Sequence, residues 1–182
     1  MKATVNAQSL RDAVRWTSKT VEARATLPIL TGVMLSANDR LTVQATDLEV
    51  TLTQYVDAEV TDRKGGLVIE AKLLKKYLAK AGKLKKSMLD IDGDTFVSDL
   101  GKVKLQTVGP SEDYPSLDRS HDDYDWVTRI NLDTLPLKKL GAFMASDNGR
   151  PVLHSMLVER RVIDSEQRLT YSAADGFRLV CH

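Results

Sequence analysis

No apolar run in this chain reaches the roughly 18 residues that a membrane-crossing helix needs, because charge interrupts each one well short of that length. Residues 1–15 (MKATVNAQSLRDAVR) lack the long apolar stretch of a signal peptide. Cys181 is the only cysteine, so no internal disulfide can form, which suits a reducing cytoplasm. A cytoplasmic protein with no membrane partner is the expectation.

Catalytic signatures are missing as well. There is no GxxxxGK[ST] and no GxGxxG, so phosphate cradling by those loops has no support, and no GxSxG elbow presents a nucleophile. His121, His154 and His182 share no metal-ligand spacing, and His121 beside Asp122 and Asp123 sits in an acidic linker. Asp90, Asp92 and Asp94 imitate the start of a calcium loop, but Gly93 is misplaced for one and no glutamate closes it, so a hairpin turn explains them better. Cys181 has only His182 next to it, too close along the chain to act as an oriented base. No enzyme, cofactor or metal is expected.

What is present is a repeat. At 182 residues and 42% hydrophobic, the chain has material for one large domain or two small ones. MKATV reads as a strand, and NAQSLRDAVRWTSKTVEA as a helix with Asn6 as its N-cap. Residues 29–36 read as a strand, and LTVQAT and LEVTLTQYVDAEV continue in strand idiom to the Gly65-Gly66 turn. LVIE precedes a helix over about 71–82, after which SMLDI, TFVSD and KVKLQTV read as a meander turning at Asp92-Gly93 and Leu100-Gly101. The order then restarts about 125 residues on. WVTRINL echoes MKATVNA, DTLPLKKLGAFMAS echoes the first helix, and RPVLHSMLVE echoes LPILTGVMLS. RLTYSAADGFRLV echoes RLTVQATDLEVTL, with Asp175 over Asp47. This predicts an α+β fold of two duplicated domains, residues 1–125 and 126–182. The second copy ends without the strand, helix and meander that complete the first, so it is expected to be incomplete, either as a fragment or with something else covering its open edge.

Charge is sorted along this framework. The net charge is only +1, yet KLLKKYLAKAGKLKK (72–86) is basic and EDYPSLDRSHDDYD (112–125) is acidic. Arg11, Arg15 and Lys19 stand four apart on the first helix. Lys72, Lys75, Lys76, Lys80 and Lys83 form a stripe opposite Leu74, Tyr77, Leu78 and Ala81, and Lys138 and Lys139 lie on the third helix. A solvated helix side accounts for any one of these. The second helix, however, has no acidic residue from Ala71 to Lys86, and a self-repelling stripe suits an external anion. Phosphate backbone fits, since neutralising it needs only Lys and Arg at suitable reach. Aromatics are 5% of the chain and hardly interleave with the charges, so duplex DNA held without sequence preference fits better than a single-strand stacking platform.

TLPIL with LTVQATDLEVTL downstream, EDYPSLD closing the first unit and SAADGFRL in the second resemble the bacterial DNA sliding clamp, the beta subunit of DNA polymerase III, from Met1 to His182. The resemblance implies three similar domains per chain and two chains closing head to tail as a homodimeric ring around duplex DNA. Antiparallel sheets would lie outside and basic helices would line the hole. It implies a processivity factor, opened by a separate clamp loader, that holds the replicative polymerase on DNA. Arg24, Lys72 and Arg150 stand where the family contacts DNA; Lys72 replaces an arginine, and Pro151 and Val152 replace a tyrosine pair. Leu153, Ala174, Gly176, Phe177, Arg178 and Leu179 match the family's cleft for Leu/Phe-bearing peptides of polymerase and repair proteins, whose second wall lies beyond His182. Ordinary strand core is the competing expectation for Leu153, Phe177 and Leu179. The alternative function is a short clamp-like interaction module that does not encircle DNA.

Overall fold

The computed structural model describes residues 1–21, 25–82, 87–115, 135–146 and 149–182, with the side chain of Ile163 excepted. The chain divides into two compact units, Met1–Ser120 and His121–His182. WVTRINL, the acidic segment from Ser116 onward, Arg24 and Lys83 lie outside the described residues.

The first unit opens with strand β1 (Lys2–Asn6) and helix α1 (Ala7–Thr17). Asn6 caps that helix as its sequence predicts, its side-chain oxygen accepting the amides of Gln8 and Ser9, both at 3.0 Å. The helix stops at Thr17 rather than running on through Lys19. The hydroxyls of Thr17 and Thr20 take the carbonyls of Ala13 and Thr17, both at 3.0 Å, and compete with the helical ladder. Lys19 therefore lies past the helix, beyond the stripe that spacing alone assigned to it.

The expected strand at 29–36 is shorter than its pattern. Pro28–Thr31 form a 3-10 turn, closed by the Leu30 amide on the Leu27 carbonyl at 3.0 Å, and β2 (Gly32–Ala37) begins only afterwards. Pro28 has no N–H to give a ladder and its fixed φ favours a turn. Next come β3 (Leu41–Thr46) and β4 (Thr51–Val56), separated by a turn at Asp47–Val50 where continuous strand was expected. β5 (Ala58–Asp62), β6 (Gly66–Glu70) and helix α2 (Ala71–Ala81) follow. The unit ends with β7 (Met88–Asp92), β8 (Thr95–Ser98), β9 (Gly101–Lys104) and β10 (Thr107–Gly109).

These strands make two antiparallel sheets, ordered β5-β1-β7-β8-β9 and β10-β6-β2-β3-β4. The predicted meander holds through β9 and then breaks. Leu105 is buried, with its amide on the Asp94 carbonyl at 2.8 Å, and past it the chain crosses to pair Thr107 with Ile69 in the other sheet. A stretch that alternates throughout thus serves two sheets. Both sheets and both helices share one core, in which Leu10, Val14, Leu35, Leu41, Ile69, Leu74, Leu78, Leu89 and Phe96 are fully or almost fully buried. Tyr114, from EDYPSLD, seals this unit: it is 4% exposed, its hydroxyl donates to the Gly32 carbonyl at 3.3 Å, and burial pushes its phenol up to about 12.

The second unit contains helix α3 (Leu137–Gly141), a 3-10 turn at Pro151–His154, and a sheet of β11 (Leu157–Ile163), β12 (Glu166–Ala174) and β13 (Leu179–Cys181). The helix expected over DTLPLKKLGAFMAS is a single short turn after Pro136. A small core of Leu140, Tyr171 and Ala173 gathers Phe143, Met144, Met156, Leu169 and Val180 around it. Leu157, Val158 and Val162 of β11 stay exposed.

Candidate functional site

Helix α2 buries Ala71, Leu74, Leu78 and Ala81 and turns Lys72, Lys75, Lys76 and Lys80 to solvent. Its eleven residues include no acid, and no described residue forms an ion pair with these four lysines. Lysines four apart repel along a helix by a few tenths of a kcal/mol per pair, so the stripe is a cost to folding that burial on the opposite side must offset. Neighbouring α1 exposes Arg15, and Lys19 is exposed just beyond its end. Arg11 is placed differently: its side chain is 33% exposed and Nη1 donates to the Gly82 carbonyl at the end of α2, at 3.0 Å.

The internal repeat proves to be a repeat of two linked turns. In the first unit the 3-10 turn at Pro28 is followed by an Asp47 turn, in which the carboxylate oxygen accepts the amides of Glu49 at 3.0 Å and Val50 at 2.7 Å. In the second unit the 3-10 turn at Pro151 is followed by an Asp175 turn, which accepts Phe177 at 3.0 Å and Arg178 at 2.8 Å. The residue after each aspartate is left-handed, Leu48 at φ 77° and Gly176 at φ 90°. A leucine pays a steric penalty there that glycine does not, and Leu48 is half exposed, so little burial is lost on removing it. Leu48→Gly is expected to stabilise the first unit by about 1 kcal/mol, read as a higher denaturant midpoint at unchanged slope.

In the second unit this geometry opens a two-part cleft. One cavity of about 330 Å³ is lined chiefly by Val152, Leu153, Met156, Leu157, Ala174 and Leu179. A second, of about 290 Å³, is bounded by Ala145, Arg150, Leu153, Asp175, Gly176 and Phe177. Gly176 is favoured by its positive φ, and a Cβ there would lie 3.2 Å from Arg150 Nη1, the movable end of a flexible side chain. Phe177 is 98% exposed and Leu179 67%, so neither is strand core in this chain; Leu153 is partly buried. Arg150, which the resemblance placed toward DNA, stands on the cleft with Leu153 and Gly176.

Arg178 braces the turn, although its side chain is exposed. Its Nη2 and Nε hold Asp175 at 2.6 and 2.8 Å, its guanidinium lies 5.1 Å from the Phe143 ring centre, and Nη2 also donates to the Ala142 carbonyl at 3.3 Å. Phe143 and Ala142 were not foreseen, since no local pattern announces a contact between residues 35 or 36 apart. The Arg178 guanidinium, with the amides of Phe177 and Arg178, holds the Asp175 carboxyl down at about 2. A depressed carboxyl stabilises the folded turn fully above its ordinary value near 3.8 and loses that contribution as pH falls through about 2. The Phe177 and Arg178 amide resonances are therefore expected to move with a midpoint at about pH 2, and Asp175→Asn is expected to abolish the transition.

A profile of the DNA polymerase III beta subunit N-terminal domain matches residues 1–118. The chain belongs to this family. It is 29% identical over 187 residues to the beta sliding clamp of Caulobacter vibrioides, covering 98% of this chain and 49% of that one. It is 28% identical over 191 residues to the beta sliding clamp of Vibrio cholerae, covering 98% and 48%. Among solved structures, pol III beta of Caulobacter crescentus superposes with a TM-score of 0.82 at 24% identity, over 100% of this chain and 49% of that one. A Pseudomonas aeruginosa sliding clamp bound to griselimycin superposes at 0.75 with 23% identity, over 98% and 48%. The α+β architecture of antiparallel sheets is thus that of sliding clamps. The chain spans about half the length of the curated relatives it matches.

Among the described residues no helix is long and apolar enough to cross a membrane, and no cluster of three or more His, Cys, Asp or Glu is arranged to hold a metal.

Proposed function

We propose that the protein carrying this chain is a DNA sliding clamp, a non-catalytic cytoplasmic processivity factor that encircles duplex DNA and tethers the replicative polymerase. The observation that carries this reading is the acid-free face of α2, where four exposed lysines await an anion within a family of clamps. Lys72, Lys76 and Lys80, with Arg15, Lys19 and Arg24, would contact phosphates without reading bases. Residues 1–125 and 126–182 would be the first two clamp domains, the second completed by sequence beyond His182, and two full-length chains would close the ring after a clamp loader opens it. The cleft of Leu153, Ala174, Gly176, Phe177, Arg178 and Leu179 would seat the apolar anchors of polymerase and repair peptides, with Arg150 at its rim. Griselimycin, which a Pseudomonas aeruginosa relative binds, is a convenient probe of this chain's own ligand binding.

The deciding experiment uses topology. The full-length protein, loaded on circular duplex DNA by its own loader, is expected to stay through a high-salt wash and to leave when the circle is cut. Release by salt alone, regardless of topology, would instead establish the non-encircling module.

A further inference from the structure

We infer that Arg11 is a positioning residue of the lysine-bearing surface, clasping the end of α2 to α1, and not one of its phosphate ligands. The inference rests on the DNA-facing reading of α2. Every donor-bearing nitrogen of this guanidinium is engaged within the protein. Nη1 donates to the Gly82 carbonyl at 3.0 Å, and Nε and Nη2 both lie 3.4 Å from the Asp12 carboxylate. Arg15, Lys19, Lys72, Lys76 and Lys80 have no such partner among the described residues.

The contact is built as well as polar. The Arg11 stem lies so near Gly82 that a Cβ there would come within 3.1 Å of Arg11 Cδ, 3.3 Å of the Ala7 carbonyl and 3.0 Å of the Leu78 carbonyl. Gly82 is therefore the point at which the first turns of α1 meet the last turn of α2. Helix α2 needs such a tie. At eleven residues it is shorter than isolated helices that hold together in water, and its lysines repel one another. Leu74 and Leu78 dock its middle in the core. Arg11 satisfies a carbonyl at its C-terminal end and sets a cation where the helix dipole is negative. The last turn carries Lys80, so the clasp fixes where that charge points.

The test compares Arg11→Met, which keeps the stem but removes donor and charge, with Arg11→Lys, which keeps both in simpler form, and with Lys76→Ala. Amide exchange of residues 80–82 and the salt dependence of binding to a mixed-sequence duplex are read for each. Arg11→Met is expected to speed exchange about tenfold, as for loss of one charge-assisted hydrogen bond. It should weaken binding severalfold while the slope of log K against log salt stays as in the parent, and Arg11→Lys should restore both. Lys76→Ala should lower the slope by about 0.9 and leave exchange alone. If Arg11→Met lowers the slope as Lys76→Ala does, Arg11 is a phosphate ligand and the inference falls. Unchanged exchange also overturns it. Faster exchange with binding unaffected overturns the positioning role, and if Lys76→Ala then leaves the slope unchanged too, the DNA-facing reading of α2 has failed separately.

Discussion

Replacing Lys72, Lys76 and Lys80 together by alanine is expected to flatten the salt dependence of duplex binding and leave the fold intact. Each phosphate neutralised by a lysine contributes about 0.9 to the slope of log K against log salt, so three contacts contribute up to about 2.7. Relative to about 1 M salt, where this contribution vanishes, the loss at about 50 mM is on the order of a thousandfold in affinity. Stability should move the other way. All three lysines are exposed, alanine is the best helix former, and repulsion at i, i+4 is removed, so α2 should gain a few tenths of a kcal/mol. Binding that collapses in a protein at least as stable as its parent identifies a surface shaped for an external anion. An unchanged slope would mean that the stripe is only the solvated side of a helix.

Phe96→Ala is expected to be the most damaging single change in the first unit. Phe96 on β8 is fully buried, and its ring meets Tyr77 of α2 edge-on, with centres 5.8 Å apart at 72°. Tyr77 also donates to Ser98 at 3.2 Å, so helix and strand are joined by a ring pair and a hydrogen bond at one place. Truncation removes a large apolar group from water exclusion and leaves a cavity, and such changes cost about 3–5 kcal/mol. For a domain of ordinary stability, about 5–15 kcal/mol, that is a third or more of the total. Denaturant unfolding reads it directly, and Phe96→Leu should recover most of the loss. A cost below about 1 kcal/mol for Phe96→Ala would show that this junction does not hold α2 in place.

Both predictions concern α2, the element most legible in the sequence. Apolar residues at helical spacing and lysines opposite them specify an amphipathic helix whatever surrounds it, because period and polarity are local properties. Asn6 as a cap was readable because a short polar side chain reaches backbone amides two or three residues away, and Asp175 as the counterpart of Asp47 because the two segments align along the repeat. The duplication was legible because both copies keep these local signals, Pro before the turn and Asp within it. Local patterns also misled where they had competition. Hydroxyls at Thr17 and Thr20 ended α1 before Lys19, Pro28 replaced the start of a strand with a 3-10 turn, and Asp47 interrupted what read as one strand.

What the sequence by itself determined is the alternation of elements, the acid-free lysine stripe and the pairing of Asp175 with Asp47 across the repeat, since each is carried by residues close together along the chain. Tertiary structure alone decided that KVKLQTV serves two sheets, that Arg150 stands beside Gly176, and that Arg178 reaches Phe143 and Ala142. It also decided that Arg11, which by spacing belonged with Arg15, ends on a carbonyl 71 residues away. Spacing along a helix sets the side from which a side chain leaves. The partner it meets there depends on how distant segments pack, and no local period encodes that.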